Sequence, residues 1–303
     1  MVNARRVFLA LILLGLFASL GACTADKSLT TKPILLPIDD GNGKFVRRKV
    51  TLNHVTDLES MTGDVATLYG GGKYIGSFNG KASLSMGEKP KAQFIDIGDA
   101  LVPADFETMA MATIMYHMEK IKEMYDKWGL NEGISFPRKV MVNPEIPSGN
   151  SISGHLTDNA TFMPGMDGYA VFTTTMPDAI PVSISGGIWS HEYFHNVFNQ
   201  MRKRIIAKKG QVPPQEVQLD RSNPDGDMQN LVRSKKIEDE VLGAVNEGTA
   251  DFFAYVYSGN PKFFIATFTN GRYRDMTVKR TFPSTTDHLR DTTFDVDNKS
   301  GAW

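Results

Sequence analysis

The chain has 303 residues, 33 basic and 34 acidic, for a formal net charge of −1. With no basic stripe, that balance gives no electrostatic footprint for nucleic acid. Its single cysteine, Cys23, excludes an intrachain disulfide.

Residues 1–22 read as an export signal outside the fold. Arg5 and Arg6 form a positive n-region, and the apolar run Val7 to Ala22 is short for a spanning helix. Leu20-Gly21-Ala22-Cys23 looks like a bacterial lipobox, in which Cys23 becomes the lipidated N-terminus. The bland alternative is an ordinary secretory signal with an incidental cysteine. The expectation is an exported protein held by its lipid at a bacterial membrane, on the periplasmic face or cell surface, without spanning it. Residues 23–43 are polar with scattered prolines and read as a tether.

From Lys44 to Ile97, short β-like runs alternate with turns. The runs are Lys44–Leu52, Val65–Tyr69, Lys73–Phe78 and Gln93–Ile97, broken at Gly70-Gly71-Gly72 and Asn79-Gly80. Pro103-Ala104-Asp105 then opens a helix to about Trp128, with Met109, Ile114, Met118 and Ile121 on its buried side. His117 lies on this helix and reads as a core or surface histidine. Lys139–Val142 and Tyr169–Thr173 are strand-like. The second is a candidate cleft edge, where an extended peptide can add by β-augmentation.

The next helix carries His191-Glu192-Tyr193-Phe194-His195. Ser183 to Gly187 gives it a turn-prone start, and Ile188, Trp189, Phe194, Val197 and Phe198 mark it as buried. Histidines four apart stack on one helix face, so both imidazoles reach one Zn²⁺ at about 2.0–2.1 Å. Glu192 points ~100° around the cylinder, where it can touch a metal-bound water as general base without being a ligand. The bland alternative, a core helix with two satisfied histidines, buries polar groups at high cost.

Arg202 to Glu240 is polar and charged, holds Pro213-Pro214, and reads as a surface loop with room for a short helix. Its acidic Asp220–Asp227 segment offers the oxygen donors that Ca²⁺ takes. A second helix follows over Ile237–Tyr257, ended by Gly259-Asn260-Pro261. On it Glu247 and Asp251 are four apart and face the same way. Glu247 can supply the third zinc ligand, and Asp251 can accept the ring N–H of a ligand histidine.

HExxH paired with a downstream Asn246-Glu247-x-x-x-Asp251 helix resembles the gluzincins, in particular thermolysin-like and fungalysin-like metallopeptidases. The resemblance covers roughly residues 90–303. It implies an α+β, two-lobed zincin-type fold. A β-rich N-terminal lobe would span residues 44–185, and a mainly helical C-terminal lobe residues 186–303. It implies a zinc-dependent endopeptidase acting on a peptide or protein substrate, with His191, His195 and Glu247 as ligands and Glu192 as base. Asp251 would orient His191. Asp158-Asn159-Ala160-Thr161-Phe162 is similar to the family's Asn-Ala-x-aromatic segment at the sheet edge, so Asn159 and Ala160 would hold the substrate's main chain.

The chain also departs from the family. Thermolysin-like enzymes carry an oxyanion-stabilising histidine just before an Asn-Ser-Gly segment. The similar stretch here, Val296 to Gly301, has Asp297 at that place. His288 is the nearest other candidate, and a loop histidine in water is its bland reading. The stretch after Asp251 is shorter than the family's C-terminal lobe, which implies a minimal or truncated lobe. The alternative function is a non-catalytic zinc-binding surface lipoprotein with a degenerate peptidase cleft.

Overall fold

In the computed structural model, residues 32–78, 81–147, 155–175, 180–208, 226–264, 267–268 and 274–277 are described. Strand β1 (Ile34–Asp39) buries every second side chain, Ile34, Leu36 and Ile38, the period-2 pattern of a strand with one face on a core. It pairs antiparallel with β2 (Phe45–Val50) and meets β9 (Leu101–Pro103), which in turn pairs with β8 (Phe94–Asp96). This sheet has the order β2-β1-β9-β8. The tether reading of residues 23–43 is thereby corrected: from Ile34 onward the segment belongs to the core.

A six-stranded sheet has the order β11-β12-β10-β5-β4-β3. Its centre is parallel, with β10 (Arg138–Val142) between β5 (Ala66–Gly70) and β12 (Gly168–Val171). Strands β3 (Val55–Asp57) and β4 (Thr62–Gly63) extend one side. Strand β11 (Ala160–Met163) pairs antiparallel with β12 on the other and forms the outer edge. The expectation that Tyr169–Thr173 forms the cleft edge is therefore displaced by one strand. A β6–β7 hairpin (Lys73–Phe78, Lys81–Ser85) completes the β structure.

Helix α1 (Phe106–Lys127) starts where Asp105 accepts the Thr108 N–H at 2.6 Å, an N-cap. It buries Ala112, Ile114, Met115, Met118 and Ile121 in the core shared with the sheets. Glu119 on α1 is fully buried and accepts the N–H groups of Asn53 and His54 at 2.8 and 2.9 Å. Burial pushes its carboxyl above the usual range, and those two amides oppose the shift.

Helix α2 (Gly186–Lys208) buries its first half and exposes residues beyond Met201. Gly186 and Gly187 admit close neighbours at its start. A Cβ at Gly186 would sit 2.6 Å from the His117 ring, and one at Gly187 2.6 Å from Phe263. Helix α3 (Gly226–Ser258) stops at Gly259, whose φ of +69° suits a residue without Cβ and whose N–H returns to Tyr255 O at 2.8 Å. Asn260 then donates to Asp39 at 3.1 Å and ties the end of α3 to β1. The loop reading of Arg202–Glu240 is corrected at both ends, where α2 runs on to Lys208 and α3 begins at Gly226; residues 209–225 lie outside the described residues. Charged residues such as Lys and Arg are good helix formers, so polarity alone did not mark a loop. The architecture is mixed α+β. No helix of the described residues is long and apolar enough to cross a membrane.

His117 resolves as a core histidine. It is buried on α1, and its Nδ1 lies 2.8 Å from the Tyr257 hydroxyl on α3. Burial lowers its pKa from 6.5 to about 4, so the folded protein keeps it neutral while the unfolded chain takes a proton. Its contribution is present above pH 6.5 and is lost as pH falls towards 4. About 3 kcal/mol is at stake across that window. His117→Gln is expected to flatten the acid limb of stability, measured as the difference in urea midpoint between pH 7 and pH 4.5.

Candidate metal centre

Helix α2 offers His191 and His195 on one face, and α3 lies across it antiparallel. Ser190 Oγ donates to Phe253 O at 3.2 Å, and the Phe194 and Phe253 rings stack with centroids 4.7 Å apart. Five residues beyond Ser190 on α2, His195 meets Glu247, one to two turns before Phe253 on α3. Aromatic packing at one end of the contact thus sets the register that brings the polar groups together at the other.

The two histidine Nε2 atoms are 3.0 Å apart. Glu247 Oε2 lies 3.3 Å from His191 Nε2, and Oε1 lies 3.5 Å from His195 Nε2. A tetrahedral ion with ligands at about 2.0–2.1 Å separates any two of them by ~3.3 Å. The three donors therefore form one face of such a tetrahedron. His191, His195 and Glu247 can hold a metal ion. Two imidazoles and a carboxylate suit a borderline divalent ion that leaves a fourth position open. His195 Nδ1 is buried without a hydrogen-bond partner in the structure.

The surrounding charges call for a cation. Asp251 Oδ1 lies 2.9 Å from His191 Nδ1, a close contact off the line of an aligned hydrogen bond. Arg274 pairs with Glu247, and its Nε lies 3.5 Å from Asp251. Its guanidinium also covers the Phe264 ring at 4.4 Å. Burial disfavours the charged form of His191, but Asp251, Glu247 and the Glu192 charge outweigh it and lift the pKa to about 9. Burial likewise opposes ionisation of Glu247, yet His191, His195 and Arg274 bring it down to about 2. Among the described residues, Glu192, Glu247 and Asp251 converge on this spot, where Arg274 pairs with Glu247 and lies close to Asp251. A proton on His191 fills part of the charge that a metal ion would supply.

Glu192 is buried beside the donors and is not one of them. Its Oε2 accepts the Phe162 N–H at 2.7 Å. The edge strand β11 thereby anchors the carboxylate. Burial raises the Glu192 pKa, against the pull of both histidines and the Phe162 amide.

The donors open into a cleft of about 770 Å³, whose walls include Asn159, Thr161 and Phe162. That volume is in the range of ligand sites. Asn159 Oδ1 accepts the Ala160 N–H at 2.9 Å, and the Asn159 carbonyl accepts the Phe172 N–H at 2.8 Å. Ala160 itself is buried, so of that pair the Asn159 side chain is the one on the cleft wall. Cys23, His288 and residues 220–225 of the acidic segment read for Ca²⁺ lie outside the described residues. Arg274 was not found from sequence. It sits in no motif, and the only signal for it was that Glu247 and Asp251, on one helix face, needed a cation.

Asp251→Asn is expected to keep the fold and weaken metal binding by about 10–100-fold, the usual cost of losing a carboxylate behind a ligand histidine. Chelator competition would measure it. Compared with known proteins, the chain matches no family model and no curated sequence.

Proposed function

We propose that this chain is a zinc-dependent endopeptidase of gluzincin type, with the two-lobed architecture of zincins, exported and lipid-anchored through Cys23. The observation that carries the reading is the donor triangle of His191, His195 and Glu247 with the Glu192 carboxylate fixed beside it and excluded from it. A purely structural metal site has no use for such a carboxylate. The peptide substrate class is supported by the edge strand β11, which forms the cleft wall next to the donors.

Zn²⁺ held by these residues would polarise the scissile carbonyl and lower the pKa of a water towards about 7. Glu192 takes the proton of the attacking water and hands it to the leaving amine. Its raised pKa suits a group that must both accept and release a proton near neutrality. The Phe162 amide keeps one carboxylate oxygen occupied, which leaves the other for the proton. Asp251 holds the His191 ring, and Arg274 holds both Asp251 and Glu247. The Asn159 side chain aligns the substrate main chain along the wall.

The test is zinc content together with proteolysis of casein, for wild type and Glu192→Gln. One zinc in both, with kcat lowered by about 10²–10⁴ in the variant, is the expected result. Zinc in both without proteolysis by the wild type would favour a zinc-binding surface protein instead. A variant with near-normal rate would remove Glu192 as the base.

A further inference from the structure

The cleft does not end at the donor triangle. Ser190 meets Phe253 and His195 meets Glu247, so α2 and α3 run antiparallel. Continuing that register, Asn199 and Arg202 on α2 oppose the α3 turn that holds Gly243 and Asn246. All four line the same cleft as the donors. His195, Asn199 and Arg202 follow the spacing i, i+4, i+7 and share one helix face.

Ile188, Phe264 and Phe268 line one part of the cleft, and Ile188 lies one turn before His191. Asn199, Asn246 and Arg202 line the other end, together with Phe198 and Leu242. The Asn199 Nδ2 and Asn246 Oδ1 atoms are turned away from solvent. A Cβ built on Gly243 would meet nothing within 4 Å, so the gap between the helices is open there. The Arg202 side chain is exposed at the mouth and pairs with no acid among the described residues.

Distance along the helix places this end relative to the chemistry. Arg202 is seven residues beyond His195, ~10 Å at 1.5 Å per residue. Helix side chains lean back towards the N-terminus, which brings the guanidinium nearer the donors. An extended peptide advances about 3.3 Å per residue, so Arg202 addresses a group two or three residues from the scissile bond.

We propose that this end of the cleft is a subsite for a substrate carboxylate. Arg202 binds the carboxylate, and Asn199 and Asn246 form the polar wall beside it. The inference rests on the peptidase reading above and deepens it. The carboxylate is either an acidic side chain or the free C-terminus of the substrate. A guanidinium suits both, because its planar fork matches a carboxylate.

The experiment uses the zinc-loaded full chain. Matched peptides with blocked ends carry Glu, Gln or Lys at each position within three residues of the cut. A second pair carries Gln there and ends in a free acid or an amide. Cleavage is followed by kcat/KM, and binding by fluorescence polarisation on Glu192→Gln protein. Wild type is expected to prefer a carboxylate over its amide by about tenfold, the effect of ~1.4 kcal/mol. Arg202→Ala should erase the preference, and Arg202→Glu should turn it towards Lys, each with zinc content unchanged. A preference confined to blocked Glu peptides assigns an acidic side chain, and one confined to the free acid assigns the C-terminus. Both support the subsite. Cleavage of all peptides at equal rates by wild type would overturn it and leave the peptidase standing. A preference unchanged in Arg202→Glu would overturn the role of Arg202. No binding and no cleavage of any peptide would remove the peptidase reading, and the subsite with it.

Discussion

One helix–helix contact governs the rest of the cleft. Helices α2 and α3 cross antiparallel, locked by Phe194 stacked on Phe253 and by the Ser190 hydroxyl on the Phe253 carbonyl. That apolar lock fixes which turn of α3 faces His191 and His195. A slip of one residue on either helix would rotate a donor by ~100° and dissolve the triangle. The aromatic core beneath α2 continues the same constraint: Tyr193 stacks on Tyr169 and reaches Asn131, while Asn196 donates to the Tyr169 hydroxyl. The donors are thus held by packing. The Nε2 atoms of His191 and His195, 3.0 Å apart, are within hydrogen-bond distance of each other.

Electrostatics then assigns the tasks. Three acids surround His191, and each sits in a different setting. Glu247 faces both imidazoles and Arg274, which keeps it ionised and fit to be a ligand. Asp251 sits behind the His191 ring. Glu192 is buried with one backbone amide and has a raised pKa. Environment alone thus sets similar carboxylates apart, as the proposed division between holding a cation and moving a proton requires.

The site was more legible in the sequence than the fold around it. Two histidines and a glutamate within five residues of a buried helix have few inexpensive explanations, and the i, i+4 spacing dictates their common face. Glu247 and Asp251 repeat that spacing on the second helix. Strand β1 was missed because Pro33 and Pro37, and the polar residues that flank the run, disguise an alternation only six residues long. Strand β11 has four residues, too few for a pattern, so its place at the edge was available only through the resemblance of Asn159-Ala160. The start of α3 was hidden because Lys, Glu and Arg serve a solvated helix as well as a loop. Arg274 sits in no motif, since its role comes from tertiary proximity to acids 23 and 27 residues away in the chain.

The central claim is that packing of α2 on α3 builds a three-ligand metal centre. Zinc K-edge X-ray absorption on the purified protein tests it most directly. The account predicts one zinc with two imidazole nitrogens and one or two oxygens at about 2.0–2.1 Å, and loss of an imidazole shell in His195→Ala. A sulfur shell near 2.3 Å, a spectrum unchanged by that substitution, or no bound zinc would contradict it.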